Sequence, residues 1–171
     1  MERIADILEG RVVLAGVGTV GRGDDGFGPL LARRLSGLPN LRALDCEDRL
    51  EDYTGDIARE DPDTVLIADA VDLGVEPGRF AVLEAESLAS CAGGTHRASL
   101  ETTMRYLERR TGAAVFLIGM QPAVIADQHA LSPAVWAGMV ALEDFFRSWS
   151  SHGDREERRF QTPEPERVNA Q

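Results

Sequence analysis

Basic residues are scarce in this chain: 18 Lys and Arg stand against 29 Asp and Glu, for a formal net charge of -11. An acidic surface repels phosphate backbones and anionic lipid headgroups, which argues against a nucleic acid or a membrane as the partner. Long apolar runs are also absent, since none approaches the ~20 residues that span a bilayer. The first ten residues show no basic stretch followed by an apolar one, so we expect no signal peptide and a cytoplasmic protein.

Cysteine is equally scarce. Cys46 and Cys91 lie far apart and form no CxxC motif, so we expect both to be reduced and structural. Internal repeats are absent, and 171 residues fit a single domain with a sizeable core. A hydrophobic content of 43% with 17 glycines is typical of a compact α/β protein.

Short runs rich in apolar residues predict five strands, at residues 11–17, 41–46, 64–69, 79–83 and 113–118, of which the first and the last are predicted to be buried. Helices are predicted at 27–35, 99–110 and 132–149, the last beginning with a Ser-Pro cap. Their alternation predicts a three-layer α/β/α sandwich on a mostly parallel, twisted sheet of about five strands. Residues 150–171 are polar and charged, and we predict a disordered tail after a folded domain at 1–149.

Three polar clusters follow three of the predicted strands or enter a helix. They lie in the glycine-rich segment 16–28, at 69–72 directly after the third strand, and at 93–96 before the helix at 99–110. In a parallel α/β sheet, ligands bind at the carboxyl ends of the strands, at a point where the strand order reverses. Side chains of the three clusters are therefore expected to meet at one edge of the sheet.

Asp25, Asp69 and His96 are the candidate metal ligands. Two carboxylates and one imidazole suit a divalent transition metal, and three protein ligands leave coordination positions open for substrate or water. The other two histidines, His129 and His152, fall in polar segments and are predicted to be solvated.

Each candidate also has an ordinary structural interpretation. Asp24 or Asp25 could cap the first long helix, where acids suit the dipole, and Asp24 is the better candidate for that role. Asp69 could be a turn acid, with Asp72 acting behind it or in its place. His96 could be a hydrogen-bonded loop histidine. Spacing alone leaves these alternatives open.

A rival interpretation is a dinucleotide site, because residues 16–21 match GxGxxG and Asp45 ends the next strand. Asp24 and Asp25 oppose it, since they would place two carboxylates where a pyrophosphate needs a positive helix N-terminus. Arg22 offsets only part of that repulsion.

The ordered set of motifs resembles the hydrogenase maturation endopeptidase family from about Val12 to Trp149. The matching segments are Gly16-Val-Gly18, Gly23-Asp-Asp-Gly-Phe-Gly28, Leu66-Ile-Ala-Asp-Ala70 with Asp72, Gly74 and Pro77-Gly78, then Thr95-His96, and Ile118-Gly-Met-Gln-Pro122.

The resemblance implies an endopeptidase that removes the C-terminal extension of a nickel-loaded hydrogenase large-subunit precursor. Asp25, Asp69 and His96 would then engage nickel supplied by the precursor, and cadmium or another divalent ion is expected to substitute in vitro. Asp72 would orient the site and Asp45 would border it. We expect the protein to be a monomer.

Two departures from the family pattern stand out. Thr19 replaces the usual asparagine after the first Gly-x-Gly, and the segment 45–52 is acidic where the family is commonly glycine-rich. These changes motivate a second hypothesis, a non-catalytic chaperone that binds the precursor without cutting it. A dinucleotide-binding oxidoreductase is the third.

Overall fold

The computed structural model describes the backbone of residues 2–90 and 95–160 and the side chains of residues 3–88 and 98–151. Its five strands are β1 (Val12–Gly16), β2 (Leu41–Asp45), β3 (Thr64–Ala70), β4 (Phe80–Leu83) and β5 (Ala114–Met120). The α-helices of the described residues are α1 (Glu2–Ala5), α2 (Phe27–Leu35), α3 (Leu50–Arg59), α4 (Ala85–Ser90), α5 (Thr95–Thr111) and α6 (Pro133–Phe160). A 3-10 helix, Gly23–Gly26, precedes α2.

The strands form one sheet in the order β2-β1-β3-β5-β4. β1 pairs in parallel with β2 and β3, and β3 pairs in parallel with β5, while β4 is antiparallel to β5 at the edge. The predicted mostly parallel sheet of five strands is therefore confirmed. β1 and β3 are almost entirely buried, which explains their continuous apolar sequences.

Helices cover both faces of the sheet, which confirms the three-layer sandwich. On one face, α2 and α6 share a core with alternate residues of the central strands: Phe27, Leu31, Leu35, Met139, Leu142 and Phe146 pack with Leu14, Leu66 and Ile118. On the other face, α3 and α5 do the same: Leu50, Ile57, Leu100, Met104 and Leu107 pack with Val13, Val65 and Leu117.

Several predicted element boundaries are wrong. The helix α3 was not predicted, because only Leu50 and Ile57 of its ten residues are buried and the apolar pattern is sparse. The helix α5 begins at Thr95 and not at residue 99, which places the backbone of His96 in its first turn. The short helices α1 and α4 were also not predicted.

The last helix continues past the predicted end at Trp149. α6 runs to Phe160, so residues 150–160, assigned to the tail, are helical. Ser150 is buried, and its hydroxyl donates to the Pro39 carbonyl at 2.6 Å. Residues 161–171 of the predicted tail lie outside the described residues, and the domain boundary stays a prediction. None of the helices in the described ranges has the length and apolar character needed to cross a membrane.

Candidate functional site

The sheet has its topological switch point between β1 and β3. The chain leaves β1 through α2 on one face, and it returns to β3 through α3 on the other face. The two strands are neighbours, and just beyond β1 the Val17 N–H donates to the Ala68 carbonyl at 2.8 Å. Because helices depart to opposite faces here, a crevice forms at the carboxyl ends of β1 and β3, where ligands bind in such sheets.

Glycines bring the loop after β1 close to both strands. A Cβ atom on Gly28 would lie 2.1 Å from the Ala68 carbonyl oxygen, and one on Gly16 would lie 2.1 Å from the Gly28 carbonyl oxygen. Any other residue would force these backbones apart. The amino end of α2 and the preceding 3-10 helix are therefore held directly against the end of β3.

This packing places Asp25 in the crevice region, on the 3-10 helix between β1 and α2. Its Oδ2 accepts the Thr19 N–H at 2.9 Å, and the Arg22 Nη1 lies 3.9 Å from the same oxygen. The Asp25 side chain is 19% exposed, so it is held in place while solvent still reaches it. Thr19 makes this contact through its backbone N–H, which asparagine would supply equally. The departure at Thr19 therefore does not remove it.

Asp24 has a different role from the predicted one. It does not cap α2, whose cap residue Gly26 makes no side-chain cap hydrogen bond. Asp24 is fully buried, and its Oδ2 accepts the N–H groups of Ala123 and Val124 at 2.7 and 3.0 Å. Its Oδ1 accepts the Ser132 N–H at 2.6 Å. The carboxylate thus fastens the segment between β5 and α6 to the 3-10 helix that carries Asp25.

Asp69 lies near the end of β3 and is buried, with 1% of its surface exposed. Alternation along the strand places it with Val65 and Ile67, on the face covered by α3 and α5. Its Cα partner on β5 is Gly119, which has no side chain to fill the space beside it. Asp69 therefore lies near the end of β3, on the face of the sheet that α5 covers. The backbone of His96 belongs to the same helix.

Asp72 belongs to a bracket built around Gln121. The Gln121 Oε1 accepts the Leu73 N–H at 2.6 Å, and its Nε2 donates to Asp72 Oδ1 at 3.3 Å. Asp72 Oδ1 also accepts the Gly74 N–H at 3.1 Å. The loop after β3 is thereby tied to the end of β5. From the sequence, Gln121 was noted only as part of a motif and was not assigned this role. Its burial would have indicated the role, but burial cannot be read from the sequence.

The third candidate ligand is described only in part. The backbone of His96 lies in the first turn of α5, but its side chain lies outside the described residues. Among the side chains of residues 3–88 and 98–151, no three His, Cys, Asp or Glu are placed to hold a metal ion. Whether Asp25, Asp69 and His96 form a metal site therefore stays a prediction.

Asp45 lies beside the glycine-rich loop, as its position at the end of β2 predicted. Its Cα partner is Gly16, and its Oδ2 accepts a hydrogen bond from Arg33 Nε of α2 at 2.7 Å. The Asp45 carboxylate is thus paired with Arg33, whereas a ribose-binding carboxylate would have to be available to the ribose hydroxyl groups. The next loop contacts the site through its backbone, because Glu47 O accepts the Gly18 N–H at 2.7 Å. The end of the acidic segment, from Leu50, belongs to α3.

Two remaining candidates are accounted for. Cys46 is buried, and this burial, with a smaller contribution from the charge of Asp45, raises the pKa of its thiol to about 12. The thiol is therefore uncharged and unreactive at neutral pH, as expected for a structural cysteine. His129 is exposed, as predicted, and its Nδ1 lies 2.8 Å from the Asp127 carbonyl oxygen. Cys91 and the side chain of His152 lie outside the described residues.

Known proteins share both the sequence and the architecture. A family model described as hydrogenase maturation protease matches residues 31–144, a range that includes Asp69 and His96 but begins after Asp25. The Hydrogenase 3 maturation protease of Escherichia coli strain K12 is 28% identical over 144 residues, which cover 82% of this chain and 92% of that protein.

Solved structures agree. The crystal structure of a NiFe hydrogenase maturation protease, HycI from Thermococcus kodakarensis KOD1, is 32% identical with a TM-score of 0.79, and the match covers 85% of this chain and 97% of that one. The solution structure of the endopeptidase HycI from Escherichia coli has the same fold, with 24% identity, a TM-score of 0.72, and coverage of 81% and 90%.

Proposed function

The chain belongs to the hydrogenase maturation protease family, and on this premise we propose that it removes the C-terminal extension of a nickel-loaded hydrogenase large-subunit precursor. Membership of the family makes the chain a peptidase. The observation that supports a site for this reaction is the crevice between β1 and β3, where Asp25 and Asp69 lie on adjacent elements at the carboxyl edge of the sheet.

We propose further that Asp25, Asp69 and His96 engage the nickel that the precursor carries. Nickel is then part of the substrate and serves as the feature that identifies a loaded precursor. The donor set suits the metal, because divalent transition metals accept carboxylate oxygen and imidazole nitrogen together. Three protein ligands leave positions open for groups of the precursor. The nickel would supply a Lewis acid next to the peptide to be cut.

The chain's own residues supply the fixed geometry. The Thr19 N–H holds Oδ2 of Asp25, so the carboxylate does not have to be ordered when substrate binds. Asp24 and Gln121 immobilise the loops on either side of the crevice. A carboxylate at this position can also accept the proton of an attacking water molecule. Orientation of the peptide, metal engagement and proton acceptance are thus assigned to one edge of the sheet.

The two alternative hypotheses lose their motivation. The chaperone hypothesis rested on Thr19 and the acidic segment 45–52, but the contacts made by Thr19 and Glu47 at the glycine-rich loop are backbone contacts that do not depend on side-chain identity. The dinucleotide hypothesis needed a ribose-binding acid, and the Asp45 carboxylate is bound to Arg33. Neither hypothesis fits a member of a peptidase family.

The decisive experiment is the intact mass of the nickel-loaded large-subunit precursor from the same organism after incubation with the protein. We expect a discrete C-terminal loss that requires nickel. The variants Asp25→Asn, Asp69→Asn and His96→Ala should slow cleavage by about 100-fold or more, as loss of an acid–base group does. Thermal unfolding checks that each variant is folded.

The matched control is Asp61→Asn, which makes the same chemical change at a side chain that is 77% exposed and paired with Arg11, away from the carboxyl edge. It should cleave at the wild-type rate. An unchanged mass with wild-type protein and nickel-loaded precursor would overturn the proposed function. Full cleavage by folded His96→Ala would remove His96 from the site and leave the function standing.

A further inference from the structure

Exposed apolar side chains gather at the carboxyl edge of the sheet. Among the described residues, six large apolar side chains are exposed, and four of them belong to the loop after β1, the segment after β5 and the start of α6. These four, here called the apolar rim, are Val20 (42% exposed), Val124 (37%), Ile125 (45%) and Trp136 (47%). The others are Val75, in the loop after β3, and Tyr106 on α5. Exposed apolar surface that gathers beside a candidate site is the kind of surface that marks interaction sites.

A groove joins two members of the apolar rim. Val20 and Trp136 line it together with Leu30 and Leu131, and its volume is about 480 Å³. Pockets that bury small ligands have volumes of roughly 300–1,000 Å³. The groove is thus large enough for a few side chains of a peptide.

The walls of the groove are fixed by backbone hydrogen bonds. The Gly23 N–H donates to the His129 carbonyl at 2.9 Å, and the His129 N–H donates to the Gly21 carbonyl at 3.2 Å. Val124 is held at the same place, because its carbonyl accepts the Asp24 N–H at 2.9 Å. A partner would therefore meet a surface that is already ordered, which lowers the entropic cost of binding.

The groove is continuous with the proposed catalytic loop. Gly23 lines the groove and lies two residues before Asp25. Arg22, between Gly21 and Gly23, approaches Asp25 Oδ2 to 3.9 Å. A peptide that reaches from the crevice into the groove would hold residues close to its scissile bond in the groove.

The lining is unusual for so acidic a protein. The chain has 29 Asp and Glu residues, yet none of those with a described side chain lines the groove. Among the described residues of the lining, His129 and Gln128 contribute the polar side chains. A lining without carboxylates accepts an apolar peptide segment without burying a negative charge. The Arg34 guanidinium lies over the Trp136 ring, 5.3 Å from its centroid, and fixes one wall.

We propose that the groove and the apolar rim bind an extended, apolar segment of the precursor within a few residues of its scissile bond. This inference rests on the proposed function, because it places the substrate of that same site. Binding here would explain how the site selects one peptide bond, since the segment on the groove sets which bond lies at Asp25.

The test compares cleavage kinetics of the nickel-loaded precursor by rim variants and by a matched control. Val20→Ser and Ile125→Ser should each raise KM by about tenfold, the effect of losing a small apolar contact. Trp136→Ala should raise it about 30-fold, as for an aromatic anchor. The control is Tyr106→Ala, which removes an aromatic side chain of similar exposure (45%) from α5; its KM should equal that of wild type.

Equilibrium binding to the uncleaved precursor, measured in the Asp25→Asn background, separates the two proposals. If wild type does not cut, the proposed function fails, and the inference fails with it even where binding depends on the rim, because there is then no scissile bond to position. If wild type cuts and all three rim variants keep its KM and affinity, the inference is overturned and the function stands. Sedimentation equilibrium tests whether a second copy of the chain occupies the rim instead. A wild-type dimer that Trp136→Ala dissociates would make the rim a self-interface and overturn the inference.

Discussion

Replacing Asp24 by asparagine should loosen the segment between β5 and α6. The buried Asp24 carboxylate accepts three backbone N–H groups, two on Oδ2 and one on Oδ1. Asparagine has a single acceptor oxygen, so it can keep the pair from Ala123 and Val124 or the bond from Ser132. In either orientation its NH2 group, a donor, faces a backbone donor.

The magnitude follows from the number of bonds lost. A hydrogen bond to a charged group contributes about 1.5–3 kcal/mol, and the favoured amide orientation loses one of the three. Asp24→Asn should therefore lower the free energy of unfolding by about 2 kcal/mol. Asp24→Ala loses all three bonds, but water reaches the exposed Ala123 and Val124, so we expect about 4 kcal/mol and not the full sum.

Urea unfolding measures the global effect, and amide hydrogen exchange measures the local one. The Ala123, Val124 and Ser132 amides report this local effect. The Ser132 amide, which loses its acceptor when the other two keep theirs, should exchange at least about tenfold faster in Asp24→Asn, because 1.4 kcal/mol corresponds to a factor of ten. Asp61→Asn serves as the exposed control and should change stability by less than about 0.5 kcal/mol. Unaltered exchange at these three amides in Asp24→Asn would refute the assigned role of the carboxylate.

Three further outcomes are expected. Gly28→Ala should destabilise by about 3 kcal/mol in thermal unfolding, since its Cβ would lie 2.1 Å from a backbone oxygen, whereas Gly55→Ala, with nothing within 4 Å, should stabilise by about 0.5–1 kcal/mol. Cys46, whose pKa is about 12, should resist iodoacetamide at pH 8 until urea unfolds the chain, as peptide mass spectrometry can show. Burial raises the pKa of Glu143, but hydrogen bonds from two arginines outweigh it and lower the net pKa. Its stabilisation is thus present above the unfolded-state pKa and lost as pH falls through the folded one. The roughly 1–2 kcal/mol cost of Glu143→Gln at pH 7 should therefore diminish as the pH is lowered below the unfolded-state pKa.

The central strands β1 and β3 could be predicted because burial on both faces imposes a continuous apolar sequence. β3 was predicted at 64–69 and ends at Ala70, and the other strands differ by similarly small margins. Helices with little buried surface gave no such signal. α3 buries only Leu50 and Ile57, and the last turns of α6 are rich in charged residues and carry no apolar pattern in the sequence. Where packing does not restrict the sequence, the sequence does not report the structure.

The acidic candidates could be selected from the sequence, but their individual roles could not. Asp24 and Asp25 are neighbours of the same type, and only the fold shows that one is buried against a segment about 100 residues later while the other stays partly open to solvent. The role of Gln121 also depends on long-range contacts, because its hydrogen-bond partners in the loop after β3 lie 46–49 residues earlier. No local pattern encodes which distant backbone a side chain will meet.

The Asp24–Ser132 hydrogen bond also joins residues 108 positions apart. During synthesis, the loop bearing Asp25 leaves the ribosome early, whereas the backbone donors that secure it are among the last parts of the domain to be made. The nascent chain therefore holds the Asp25 loop without that support until β5 has joined the sheet and α6 has packed against it, so the loop reaches its final geometry only near the end of synthesis.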